Sequence, residues 1–99
     1  MIVVTGRFRL PPERTAEARP AMGKVIAASR AEPGCRAYAY AEDITERGLF
    51  RVYEEWDDLA ALRDHFATAH MREWQAVRET LGFRDRAVSG WETGEPISL

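Results

Sequence analysis

The sequence predicts an α+β domain of ferredoxin-like design: β-α-β-β-α-β element order, with an antiparallel four-stranded sheet carrying its helices on one face. Three observations lead there. Apolar residues alternate at period two in several short stretches, the stretches between them carry apolar residues at helical spacing, and Pro and Gly fall at the joints. The chain has 99 residues, which suits one domain over 1–99, with 93–99 an irregular tail around Gly94 and Pro96.

The first strand covers residues 2–10, where Ile2, Val4, Phe8 and Leu10 share one face and Thr5, Arg7 and Arg9 the other. Pro11 and Pro12 stop it, because neither can donate to a ladder, and Pro12 suits a first helical turn. From Glu13 to Ala31, the residues Ala18, Met22, Val25, Ile26 and Ser29 fall at helical spacing. Pro20 lies inside this span and is expected to kink the helix or delay its regular part. Glu32-Pro33-Gly34 ends it, since Pro33 forbids continuation and Gly34 can take positive φ. Residues 35–42 alternate again, with Cys35, Ala37, Ala39 and Ala41 on one face and Arg36, Tyr38, Tyr40 and Glu42 on the other. After a turn at 43–48, the strand 49–56 sets Phe50, Val52, Glu54 and Trp56 against Arg51, Tyr53 and Glu55. Asp57 or Asp58 caps a helix with Leu59, Leu62 and Phe66 on its buried stripe, and Thr68 opens a further helix through Met71, Trp74, Val77 and Leu81. Gly82 ends that helix and residues 83–92 form the last strand. Tyr38, Tyr40, Tyr53 and Arg51 are awkward on a bare sheet, so a homodimer packed through its sheet faces is expected.

Composition removes several function classes. Net charge is −2 with pI near 5.7, and the arginines interleave with Asp and Glu, so no basic patch favours nucleic acid or an anionic membrane. No apolar stretch is long enough for a signal peptide or a membrane span. Cys35 is the only cysteine, which excludes an intrachain disulfide and suits a reduced, cytoplasmic setting. There is no Gly-rich phosphate loop, nucleophile elbow or paired Cys to hold nucleotide, flavin or zinc, and no cofactor or metal is expected.

The candidate chemistry gathers between Glu54 and Met71, which includes both histidines. Glu54 sits in phase with Phe50, Val52 and Trp56, placing a carboxylate on a mostly apolar face. Such a group must be paired, hydrogen-bonded or protonated, and burial raises its pKa. His65 lies beside the Leu62–Phe66 stripe and can point toward Glu54; His70 falls in the first turn of the next helix. Their five-residue separation is not the i, i+4 spacing of a helical metal pair. Trp56, Trp74, Phe66, Phe50 and Met71 either wall a pocket for a flat aromatic ligand or form ordinary core.

Glu32-Pro33-Gly34-Cys35 followed by Tyr38, then Glu54-x-Trp56, then His65-x4-His70-Met71, resembles the antibiotic biosynthesis monooxygenase family, over about residues 2–92. The resemblance implies a dimeric α+β barrel and, in many members, oxygenation of anthrones, quinols or other polycyclic phenols without metal, flavin or haem. The protein removes a proton, and the electron-rich carbanion reacts with dioxygen itself. It further implies His65 or His70 as base or substrate orienter, Glu54 as its partner, and Trp56 and Trp74 as walls, with Tyr38 and Cys35 in the preceding strand. The chain contains no asparagine, which separates it from the haem-degrading branch and from the Asn-dependent anthrone oxidisers. The leading reading is therefore a cofactor-independent monooxygenase taking a small aromatic or quinol-like molecule and dioxygen. Two others stand beside it: an isomerase of a small carbonyl compound, and a non-catalytic small-molecule-binding or stress-related dimer.

Overall fold

The computed structural model describes residues 1–99. Its elements are β1 (Ile2–Arg9), α1 (Thr15–Arg30) entered through a 3-10 turn at Pro12–Arg14, β2 (Cys35–Glu42), β3 (Leu49–Trp56), α2 (Leu59–Phe66), α3 (Ala69–Glu79) and β4 (Arg84–Glu92). The four strands form one antiparallel sheet in the order β2-β3-β1-β4, which is the ferredoxin-like topology. The second crossing is made by two helices, because Thr68 caps α3 immediately after α2 has ended. Asp58, rather than Asp57, caps α2, accepting from Ala61 N–H at 2.8 Å. No helix is long and apolar enough to cross a membrane.

The core lies between the helices and one face of the sheet. Ile2, Val4, Phe8 and Leu10 of β1 and its extension face Phe50, Val52 and Trp56 of β3, with Ala18, Met22, Val25, Leu62, Met71, Trp74 and Leu81 arriving from the helical side. Phe8 stacks on Phe50 at 5.3 Å and meets Tyr40 edge-on at 5.2 Å. Such aromatic pairs fix ring positions beyond what burial alone requires. Helix α1 runs without interruption past Pro20.

Two expectations about faces are corrected. Tyr38 and Tyr40 do not lie on the open face with Tyr53 and Arg51. They pair with Glu54 and Val52 of β3 and so share the helix-covered face, where Tyr38 is buried. The ladder explains it: Cys35 pairs with Trp56 and Ala37 with Glu55, so an extra residue, Arg36, bulges out and reverses the alternation after Cys35. Cys35 consequently joins the core side instead of the alanine face. The second correction is on α2, whose buried positions are Leu62 and His65, while Leu59 and Phe66 stay largely exposed.

Close backbone approach fixes β1 against β4. A Cβ on Gly6 would fall 2.2 Å from the Ala87 carbonyl oxygen, whereas one on Gly23, in the middle of α1, meets nothing within 4 Å. Gly6→Ala is therefore expected to destabilise the fold by about 2 kcal/mol through overpacking. Gly23→Ala is expected to stabilise it by roughly 0.5–1 kcal/mol through helix propensity and a less flexible unfolded chain. Urea unfolding midpoints check both, and equal midpoints for the two variants contradict the packing described.

Candidate functional site

The C-terminal end of α1, the last turn of α2 and the first turn of α3 meet at one carboxylate. Oε2 of Glu32 lies 2.6 Å from His65 Nδ1 and 2.8 Å from His70 Nε2. A carboxylate can only accept, so both ring nitrogens facing it carry hydrogen. Glu32 was read from the sequence as part of a helix stop, yet it is the group that gathers the two histidines. The expected partner, Glu54, does not bond to either; its Oε1 accepts the Trp56 indole N–H at 2.9 Å.

His65 has no exposed surface. It packs against Trp56 at 4.7 Å and Tyr38 at 5.2 Å between ring centroids. Burial depresses its pKa, against the opposing pull of the Glu32 hydrogen bond, so the ring is held neutral. With Nδ1 donating to Glu32, Nε2 is the bare lone pair, and it has no hydrogen-bond partner. A buried polar atom without a partner is uncommon enough to require an explanation.

Glu54 is also buried. Removal from water lifts its carboxyl from the usual range to about 7, partly countered by the Trp56 hydrogen bond and the field of Arg86. Glu54 and His65 line the same cavity, together with Tyr38, Phe66, Met71 and Trp74. The cavity has a volume of about 20 Å³, room for one water molecule. Phe66, more than two-fifths exposed, is the least covered of its apolar walls. Of the predicted ligand walls, Trp56 stands behind Glu54 as its donor, and Phe50 lines a wider groove of about 330 Å³ beside Met22, Ile26 and Tyr40. His70 borders a separate hollow between α1 and α3. Across the first cavity the hydroxyls of Tyr38 and Tyr40 meet at 2.8 Å. Burial raises both phenols, Tyr40 to about 12, so they remain protonated donors. Burial likewise raises the Cys35 thiol and leaves it a poor nucleophile.

Glu32, His65 and His70 are the residues that could hold a metal ion, with one donor atom from each lying within 4.8 Å of the others. Donors around a tetrahedral zinc, bound at about 2.0–2.1 Å, stand roughly 3.3 Å apart. The 2.6 and 2.8 Å separations found here are those of N–H···O bonds, so the set fits shared protons better than an ion.

The two buried titrating groups set opposite pH slopes. Between 4.5 and 7 the folded chain keeps a proton on Glu54 that the unfolded chain has released. Its stabilising effect is therefore complete below pH 4.5 and is lost as pH rises toward 7, by an amount of order 3 kcal/mol. His65 acts the other way: the unfolded imidazole takes a proton first, so stability falls on acidification below 6.5. Glu54→Gln is expected to gain stability over the parent at pH 8 but not at pH 4.5. Denaturant titrations at the two pH values measure this, and a difference that does not change with pH contradicts the assigned burial.

The antibiotic biosynthesis monooxygenase family model matches residues 1–77. A Bacillus subtilis protein, YcnE, named as a candidate monooxygenase, is 33% identical over 81 residues, covering 82% of this chain and 85% of its own. The uncharacterised Synechocystis protein sll1783 is 38% identical over 73 residues, 74% of this chain and half of that longer one. Among solved structures, a candidate antibiotic biosynthesis monooxygenase from Deinococcus radiodurans superposes with a TM-score of 0.93 at 28% identity, covering 100% of this chain and 98% of that one. Rv0793 from Mycobacterium tuberculosis superposes at 0.84 with 27% identity, covering 98% of each. The element order, the sheet and the sequence match agree, and the chain belongs to the antibiotic biosynthesis monooxygenase family.

Proposed function

We propose that the protein is a cofactor-independent monooxygenase that oxidises a quinol, anthrone or related polyphenol with dioxygen. The observation that carries this reading is the free Nε2 of His65, backed through Nδ1 by Glu32 and sharing a cavity with the half-protonated Glu54. His65 is the base: Nε2 takes the substrate's acidic proton, and Glu32 stabilises the imidazolium that forms. His70 donates to the same Glu32 oxygen and keeps that carboxylate in place. The carbanion gives an electron to dioxygen and the resulting pair combines to a peroxide anion. Glu54 supplies the proton that makes it a hydroperoxide. Loss of water then leaves a carbonyl, so a CH₂ and O₂ become C=O and H₂O. A polycyclic substrate exceeds the present cavity, so binding requires Phe66 to swing outward.

The sheet face away from the helices supports a homodimer. Trp91 and Tyr53 stand exposed there at 60% and 42%, and pairing of two such faces would enclose them. The single Cys35, with its raised thiol, suits a reduced cytoplasm. A second reading, proton transfer beside a carbonyl without oxygen, draws on the same acid and base in one cavity; turnover under anaerobic conditions would identify it.

Oxygen uptake over a panel of reduced naphthoquinones and anthrones tests the main proposal. His65→Gln is expected to lower the rate by a factor of about 10²–10⁴, with Glu32→Gln reducing it less. The profile should be bell-shaped, rising as His65 deprotonates and falling through about pH 7 as Glu54 ionises, with the alkaline limb removed in Glu54→Gln. Uptake no faster than autoxidation for every substrate, or an unchanged rate in His65→Gln, would defeat the assignment. For the assembly, sedimentation should give a dimer that Trp91→Glu converts to monomer; a monomeric parent protein contradicts it.

A further inference from the structure

The cavity that holds His65 and Glu54 is also lined by two arginines, Arg78 of α3 and Arg86 of β4. Neither makes an ion pair, in contrast to several other arginines. Arg9 reaches Glu46 and Asp85, Arg14 reaches Glu17, Arg36 reaches Asp57, and Arg51 reaches Asp43. Arg78 is the more unusual of the two. It is half-buried, its guanidinium stacks over the Phe83 ring at 4.3 Å, and burial together with Arg86 destabilises its charged form. Like charges turned toward one small cavity oppose folding, and the fields of Glu54 on Arg86 and of Glu79 on Arg78 offset this without forming an ion pair. Glu54, the one carboxyl on the cavity wall, lies beyond ion-pair distance of both and is engaged by Trp56. A third donor there is also unanswered: the indole N–H of Trp74 is buried without an acceptor.

We propose that Arg78 and Arg86 form an anion subsite, so that the molecule taken into this cavity carries a carboxylate or a chemically similar anion on its aromatic frame. The inference rests on the reading of His65 and Glu54 as the reacting end. Exposure orders the site. His65 and Glu54 are buried, Arg78 is intermediate and Arg86 is exposed, which places the charged group of the ligand toward solvent and its ring toward the acid and base. A guanidinium offers a planar pair of donors that matches a carboxylate, and a charge-assisted bond of this kind is about twice as strong as a neutral one. The pair would thus both orient the ring and discriminate against uncharged phenols, because without an anion neither cation has an ion-pair partner.

The test compares 1-hydroxy-2-naphthoate with 1-naphthol, two non-turnover probes that differ by the carboxylate, using quenching of the native tryptophans at low and high salt. The carboxylate probe is expected to bind at least tenfold tighter, with a preference that shrinks as salt rises. Arg86→Gln, on an exposed side chain, should reduce that preference several-fold. Arg78→Met, which keeps the packing on Phe83, should nearly abolish it while leaving 1-naphthol binding within twofold. Equal binding of the two probes to the parent overturns the inference, as does a preference that survives both substitutions. A change of sedimentation in either variant with the preference intact also overturns it, and assigns the arginines to contact between copies. Because the readout is binding, it stands apart from turnover: absence of oxygen uptake defeats the monooxygenase reading, and absence of anion preference defeats this one.

Discussion

One carboxylate oxygen organises the end of the molecule where the three helices meet. Glu32 follows the end of α1 and receives N–H groups from His65 on α2 and His70 on α3. Three helices converge there for an electrostatic reason, since a carboxylate taken largely out of water needs donors, and buried imidazoles need a defined tautomer. By drawing the proton of His65 to Nδ1, Glu32 leaves Nε2 bare. The bare nitrogen is thus set by a residue on a different element, through a bond made on the other side of the ring. The same bond accounts for the otherwise uneconomical burial of an imidazole with one nitrogen unanswered.

Around that imidazole the cavity is graded. Its inner wall combines a lone pair on His65, a carboxyl on Glu54 near neutrality and two protonated phenols; its outer wall carries Phe66 and the two arginines. Burial is the common cause of the inner properties, acting in opposite directions on an acid and a base: it raises Glu54 to about 7 and lowers His65 below its usual range, so that each favours its neutral form. Apolar packing and the shifted titration of these groups therefore have one cause here. Trp56 illustrates it, buried as core yet donating to Glu54.

Much of the fold was legible because its signals are local. The alternation in β1 and β3, the caps at Asp58 and Thr68, and the stop at Pro33-Gly34 each depend on a few neighbouring residues. The errors came where long-range register decides. Alternation in β2 separates two sets of residues but cannot say which set meets the helices, and the bulge at Arg36 reverses the phase. Tyr38 and Tyr40 therefore went to the wrong face. The histidines and Glu54 stood out as titratable groups in apolar patterns. Glu32 did not, because it sits 33 residues from His65 in a segment whose Pro and Gly already explained it as a turn. Arg78 and Arg86 escaped notice because their lack of partners is a property of three-dimensional neighbours; in the sequence they resemble every other arginine.

The central claim is that Glu32 fixes His65 as a neutral imidazole with hydrogen on Nδ1 and a free lone pair on Nε2. Nitrogen-15 NMR of the histidine side chains at pH 7 tests it most directly, since protonated and bare ring nitrogens resonate far apart. The account predicts one fully protonated Nδ1 and one bare Nε2 on His65, with the pattern lost in Glu32→Gln. A His65 that is protonated on Nε2, or doubly protonated, or unchanged in Glu32→Gln, would contradict it.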